Sequence, residues 1–378
     1  MPINRRSRVV SVDFWRGIAL ATIFIDHVPG NVLEHYTQRN FGFSDAAEVF
    51  VLLAGVAASF AYLPHFEAGE RAHHTLRVWL RAFTLYRAHI VVLMICGAIV
   101  AYASQATEDT RIIEMMQFDQ IAKDPVPSII GIATLMFQPS SQNILPLYVA
   151  LLSVAPILIL LVRRDPRLAL AVSGTVYVAA QIFHLTLPSY PLPEAWYFNP
   201  LTWQFLFTLG LVAGASIVLD RPLRLPFERG LIVASILYVG VSAVVIAGGF
   251  VGTYDFSPLP QFLWEQDKTN LSLPRLAHIA ALAFLVSRLP VESWVRGRAL
   301  SKPLILLGQH SLPVFSLGII LSIVAQLLRV VYGGGVELGI FLIFLGLALQ
   351  IGLAWVLEWQ KDGLSRKSSP ADPVAARG

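Results

Sequence analysis

Val12-Asp13-Phe14-Trp15-Arg16-Gly17-Ile18-Ala19-Leu20-Ala21-Thr22-Ile23-Phe24-Ile25-Asp26-His27 sets four ionisable side chains into one apolar segment near the N-terminus. Wound as an α-helix, the eleven residues from Arg16 to His27 make about three turns. The two side chains then point the same way, within roughly 20°, about 16 Å apart along the axis. Ionisable groups inside a membrane span are expensive, about 2.5–3.5 kcal/mol each on insertion scales. Four in one segment therefore point to function as well as to fold.

The rest of the chain says the same of the fold. Of its 378 residues, 56% are hydrophobic and 14% charged, with a mean hydropathy of +0.64. A soluble domain carries about 25% charged residues. Apolar runs of about twenty residues recur along the whole length, which predicts an all-α, polytopic integral membrane protein. Ten spans are expected, at about 10–29, 46–64, 78–103, 143–162, 168–187, 200–219, 230–250, 273–289, 303–328 and 336–357.

Positive charge tests that map. Twenty of the 28 lysines and arginines fall on one side, in the N-terminal leader (Arg5, Arg6, Arg8), the even-to-odd connections and the tail. Only Arg39, Arg111, Lys123, Lys268 and Arg329 fall on the other, and Arg16, Arg87 and Arg275 lie within spans. The positive-inside rule then puts both termini in the cytoplasm. The net charge of +4 is mostly this topology signal. Basic residues split among short loops do not make a nucleic-acid patch. Cys96, the only cysteine, lies in an apolar span, which excludes an internal disulfide and argues against a catalytic thiol. The polar residues that interrupt the first apolar run, with no cleavage site after it, read as a retained first helix. A single transmembrane domain over 1–360 and a disordered cytoplasmic tail over 361–378 are expected. The outer side is expected to hold the segments 31–45, 104–142, 188–199 and 251–272, with a short interfacial helix within 125–137. Aromatics recur on that side (Trp196, Tyr197, Trp203, Tyr254, Trp264). An interfacial belt explains most of them, although sugar binding also uses flat aromatic faces.

Three constellations can carry chemistry. In the first helix, Asp13 and Arg16 are spaced to form a surface ion pair, and His27 can be a satisfied interfacial histidine. The functional reading gives the two ends different tasks. Arg16 offers a fork to phosphate or carboxylate near the cytoplasmic face, and His27 offers a general base near the outer face. Asp26 or another carboxylate would hold the imidazole tautomer. The second constellation, Ser44-Asp45-Ala46-Ala47-Glu48, reads as a cap with Glu48 in the first turns of a helix; Asp45 is balanced between cap and site, and Glu48 is the better site candidate. Just beyond, Ala54, Gly55, Ala57 and Ala58 let another helix approach closely. The third is Asp267-Lys268-Thr269-Asn270-Leu271, followed by Arg275 and His278 at i, i+3, both expected to face a cavity. Weaker candidates are Asn143 before the fourth span and Gln309-His310-Ser311 inside the ninth. Neither a metal-ligand spacing nor a phosphate loop is evident.

The segments Asp13-Phe14-Trp15-Arg16-Gly17 with Asp26-His27, Gly42 to Phe50, Asn143 to Tyr148, Phe198 to Gln204, Asp267 to Leu271 and Gly308 to Leu312, in this order, resemble the OpgC family of the acyltransferase-3 superfamily. One departure is Ala54, where serine is expected before Gly55. The resemblance implies an enzyme of the bacterial inner membrane that succinylates osmoregulated periplasmic glucans, with Arg16 and His27 as functional residues. Cytoplasmic acyl-CoA, by expectation succinyl-CoA, is then a co-substrate rather than a bound cofactor. The partners are glucan and the lipid bilayer, not nucleic acid, with homo-oligomerisation left open. The expected mechanism threads the donor from Arg16 to His27 through a continuous passage. Asn143, Gln309 or His310 would steady the oxyanion, and Lys268 or Arg275 would receive the succinyl carboxylate. Asp13, Asp45, Asn270, His278 and Ser311 complete the candidate binding set. The competing class is a proton-coupled or anion transporter using the same charged helix, against which the lack of inverted repeats counts.

Overall fold

The computed structural model describes residues 9–67, 69–139, 141–221 and 227–367. Arg5, Arg6, Arg8, Arg224, Arg377 and the tail beyond 367 lie outside the described residues. Fifteen α-helices, five short 3-10 helices and no strand occur among those described. The α-helices are α1 (Val10–Asp26), α2 (Ala46–Tyr62), α3 (Arg71–Thr107), α4 (Arg111–Met115), α5 (Asp119–Lys123), α6 (Pro125–Ala133), α7 (Ile144–Arg164) and α8 (Pro166–Ile182). After these come α9 (Pro200–Val218), α10 (Glu228–Ala247), α11 (Leu273–Ser287), α12 (Val291–Val295), α13 (Lys302–Gln309), α14 (Ser311–Tyr332) and α15 (Val336–Lys367).

Seven of them, α2 (with the 3-10 turn Leu63–His65 that extends it), α3, α7, α9, α10, α14 and α15, are long and apolar enough to cross a membrane. Each of the ten expected spans contains a helix, but α1 and α8 have 17 residues and α11 has 15. At 1.5 Å per residue these three reach about 22–26 Å, short of a 30 Å hydrocarbon layer. The expected ninth span, 303–328, is two helices broken at His310. Pro313 supplies the reason, because its ring removes one ladder hydrogen bond and crowds the carbonyl of Gln309 four residues earlier. The expected tail boundary at 361 also falls inside a helix, since α15 continues to Lys367. The helix expected within 125–137 is α6, and its neighbours Ile112, Met116, Phe118 and Phe137 are buried, tying the whole 108–137 segment down onto the bundle.

Small residues set the two closest crossings. A side chain at Gly55 would strike the carbonyl of Phe207, and one at Gly210 would strike the carbonyl of Leu52. Thus α2 and α9 meet backbone to backbone, as the Ala54-Gly55 run predicts. Likewise Gly17 faces the carbonyl of Leu304, and Gly308 faces that of Asp13, which presses α1 onto α13. The core runs along α2, α3, α7 and α9, where Trp203, Phe207, Leu147 and Leu151 are fully buried. Peripheral α10 buries only Ser242.

Candidate active site

The first helix stops at Asp26 because Pro29 and Gly30, the latter at φ +67°, cannot continue it. His27 is its C-cap, and its Nδ1 lies 2.6 Å from the carbonyl oxygen of Ile23, one turn back. A carbonyl can only accept, so Nδ1 carries the proton and Nε2 keeps the basic lone pair. The expected partner Asp26 does not hold this tautomer; it faces Arg39 instead, at 3.6 Å. The turn that follows is braced from two sides. Gln326 donates to the His27 carbonyl (3.0 Å), and Arg329 to that of Gly30 (3.1 Å). Buried Asn31 donates to the carbonyls of Ile25 and Val28 and accepts from the amide of Glu34.

His27 lines a cavity of about 470 Å³ at the end of the bundle where α1 stops and α2 starts, within the size range of small-molecule sites. Asp26, Arg39, Asp45, Asn143 and Lys268 line its polar part. Leu20, Phe24, Ile144, Phe315 and Ile319 line its apolar part. Lys268 Nζ lies 2.6 Å from Asp45. Burial opposes the Asp45 charge, but Lys268 and Arg275 outweigh it and hold the carboxyl well below its usual range. Burial would likewise lower Lys268, yet Asp45 and Glu48 keep it above its ordinary value. Both groups stay charged at neutral pH.

Behind this wall sits the rest of the expected cluster. Asp45 caps α2 by accepting from Ala47, and Glu48 reaches back to the Asp45 amide. Arg275 binds Glu48 at 2.5 Å and Asp45 at 3.3 Å. Nδ1 of His278 is 2.7 Å from Ser44 Oγ, and its ring fills the space a side chain at Gly42 would need. Arg275, His278 and Glu48 are therefore committed to one another and to the segment 42–48, and none lines the cavity. This corrects the expectation that Arg275 and His278 face a cavity, and it leaves Lys268 and Arg39 as cations on the wall in their place. Asn270 is also structural in placement. It donates to Asp267 (2.7 Å) and accepts from Asn199 (3.0 Å). With Trp203 donating to the carbonyls of Lys268 and Thr269, and Tyr177 to that of Leu271, the loop presenting Lys268 is clamped. Asn143 stands at the N-terminus of α7 but makes no capping bond; its Oδ1 is buried without a hydrogen-bond partner beside the cavity.

The other half of the charged helix lies elsewhere. Arg16 donates to Ser311 in the break between α13 and α14. Nearby, His310 Nε2 is 2.8 Å from Glu358, and buried Asp13 lies against Gly308. From Ser311 to Gln326 is fifteen residues of α14, about 22 Å of helix. Gln309 and His310 therefore stand with Arg16 and cannot steady an oxyanion at His27. The expected open passage is also interrupted. The cavity ends at Leu20 and Phe315, one turn short of Arg16 and Ser311, and Phe315 stacks on Phe50 at 5.9 Å. Among the described residues, no group that could hold a metal occurs.

Sequence reasoning missed Gln326, Asn31, Gln117, Ser322 and Gln350, the last three of which line the cavity. A signal existed for α14: Ser311, Phe315, Gly318, Ser322 and Gln326 recur at three- and four-residue steps and mark one face.

An all-helical bundle with membrane-length apolar helices and a half-buried histidine on the wall of an ionic cavity at one end is the arrangement of an integral membrane protein. Residues 8–362 match the family described as OpgC protein, nearly the whole chain, and the protein belongs to that family. Membership suggests a membrane acyltransferase acting in glucan modification. No curated protein and no solved structure is significantly similar to the chain.

Proposed function

We propose that the protein is an O-acyltransferase of the bacterial inner membrane that moves succinyl from cytoplasmic succinyl-CoA to hydroxyls of periplasmic glucans. In this reading all ten helical segments cross, the three short ones within a locally thinned layer. Both termini are cytoplasmic, so the Arg16 end faces the donor and the His27 cavity faces the acceptor. The observation that carries the reading is the 2.6 Å contact between His27 Nδ1 and the Ile23 carbonyl, which leaves Nε2 as a base on the cavity wall.

The chemistry then balances within the cavity. Nε2 of His27 takes the proton of a glucose hydroxyl as its oxygen attacks the thioester carbonyl. The amide of Asn143 donates to the tetrahedral oxyanion, a contribution of about 3–4 kcal/mol for such a donor. Collapse of the intermediate breaks the carbon–sulfur bond, and the imidazolium returns its proton to the leaving CoA thiolate. Arg16, with Ser311, Gln309 and His310 around it, receives the donor's phosphates at the cytoplasmic end. For the thioester to reach His27, Leu20 and Phe315 must part along the short stretch that separates the two ends.

The test is acyl transfer in detergent, where compartments no longer exist, with succinyl-CoA, glucan and release of the CoA thiol as readout. Wild-type protein modifies glucan, and His27→Ala loses at least a hundredfold, as general-base removal does. Transport of substrate by reconstituted protein without any chemical transfer would overturn the reading in favour of a carrier.

A further inference from the structure

Of the aromatics on the expected outer segments, Tyr197 is placed unlike a belt residue. It is 47% exposed, yet it lines the cavity beside His27 rather than the perimeter of the bundle. Tyr254, Phe256 and Trp264 instead form a cluster of their own away from the cavity lining. The Tyr197 ring is also rigidly backed. It meets Phe198 edge-on at 4.8 Å, and Phe198 meets fully buried Trp203 edge-on at 4.7 Å. Trp203 in turn is bonded to the loop that carries Lys268. An aromatic held this firmly and left half open loses little freedom when something stacks on it.

Polar groups share the cavity with it. Gln117 and Ser141 line the same cavity, and both hold left-handed backbone conformations, at φ +60° and +67°. Such positions are sparsely populated by non-glycine residues and cluster at ligand sites. Asn143 Oδ1 is buried beside the cavity without a partner, which leaves an acceptor for a ligand hydroxyl. A flat apolar face next to several hydrogen-bonding groups matches a pyranose ring, whose C–H face and hydroxyl edge need both.

Resting on the acyltransferase reading, we propose that Tyr197 is the stacking platform of the acceptor subsite, seating one glucose ring while Asn143 Oδ1 accepts from one of its hydroxyls. The ring is thereby oriented so that another hydroxyl meets His27. Tyr197 acts on acceptor choice and not on the donor.

The experiment uses full-length protein in detergent with saturating succinyl-CoA and two acceptors, a glucose oligosaccharide and glycerol, which has no ring to stack. Tyr197→Leu is expected to lower kcat/KM for the oligosaccharide about tenfold, mainly through KM, and to leave that for glycerol within twofold. Tyr197→Phe, which keeps the platform, restores the oligosaccharide value. Calorimetric binding of the oligosaccharide without donor weakens in Tyr197→Leu by a similar factor, and it reads the subsite even if no acyl group moves. Equal losses for both acceptors, no loss for either, or oligosaccharide binding unaffected by Tyr197→Leu would overturn the proposal. Oligosaccharide binding that depends on Tyr197, in a protein that transfers no acyl group, would overturn the acyltransferase reading instead.

Discussion

Removing the Arg275 guanidinium tests the claim that it braces the site from behind. Glu48 is fully buried, and apart from the Asp45 amide at 2.9 Å its charge is met by Arg275, at 2.7 Å from Nε and 2.5 Å from Nη2. Arg275→Met keeps most of the side-chain volume and strands that carboxylate. Truncating one partner of a buried pair costs about 3–5 kcal/mol, because the remaining charge stays uncompensated. Glu48→Gln alone is milder, about 1–3 kcal/mol, since its amide still reaches the Asp45 backbone and Arg275 keeps Asp45. In the double variant no charge is stranded, so its loss should fall short of the sum of the singles by about 2 kcal/mol. The single cysteine, Cys96, is fully buried, so its labelling by a thiol-reactive dye reports unfolding as a denaturing detergent is titrated into mild micelles. Additivity of the two losses within about 0.5 kcal/mol would refute the pairing as the source of stability. So would a loss below 1 kcal/mol for Arg275→Met.

Gly308→Val should separate α1 from α13, because the added side chain meets the Asp13 carbonyl, which cannot yield as a side-chain tip would. A loss of about 1–3 kcal/mol is expected, read as an earlier unfolding midpoint in the same labelling titration and absent from Gly352→Val, where nothing lies nearby. Gln326→Leu removes the donor to the His27 carbonyl; kcat should fall about tenfold with KM for succinyl-CoA little changed, and an equal rise in KM would count against a positioning role. Lys268 and Arg275 hold the Asp45 carboxyl below its ordinary value of 3.8. A depressed carboxylate stabilises the fold above its unfolded value and loses that contribution as pH falls toward the folded one. Wild-type melting temperature should therefore decline below about pH 4 more steeply than that of Asp45→Asn, and parallel acid limbs would sink this account.

Much of the architecture was legible because hydrophobic length is a one-dimensional property. Runs of twenty apolar residues announce helices whatever their neighbours do, and Gly55 within small residues announces a close crossing. The break at His310 was equally readable, since Pro313 acts on its own helix, yet the apolar run across it concealed the discontinuity. The site was readable only as a roster. Spacing along α1 set Arg16 and His27 on one face. It could not show that Arg16 spends its hydrogen bond on Ser311, or that Leu20 and Phe315 close the space between them. The sequence set Lys268 in an outer loop and Arg275 inside an apolar run, and only their distances to Asp45 and Glu48 show that the first forms the cavity wall and the second the buried brace.

What the sequence alone determined is the class of molecule: an apolar helical bundle whose few ionisable residues in the apolar segments mark the place where work is done, since burying charge without purpose is too costly to persist. What the tertiary structure decided is which of those residues spend themselves on one another and which are left facing the cavity. The proton on His27 illustrates the difference. Any histidine has two nitrogens of nearly equal basicity, and here the choice between them falls to the carbonyl of Ile23, which at the end of the helix accepts from both the amide and the ring of His27.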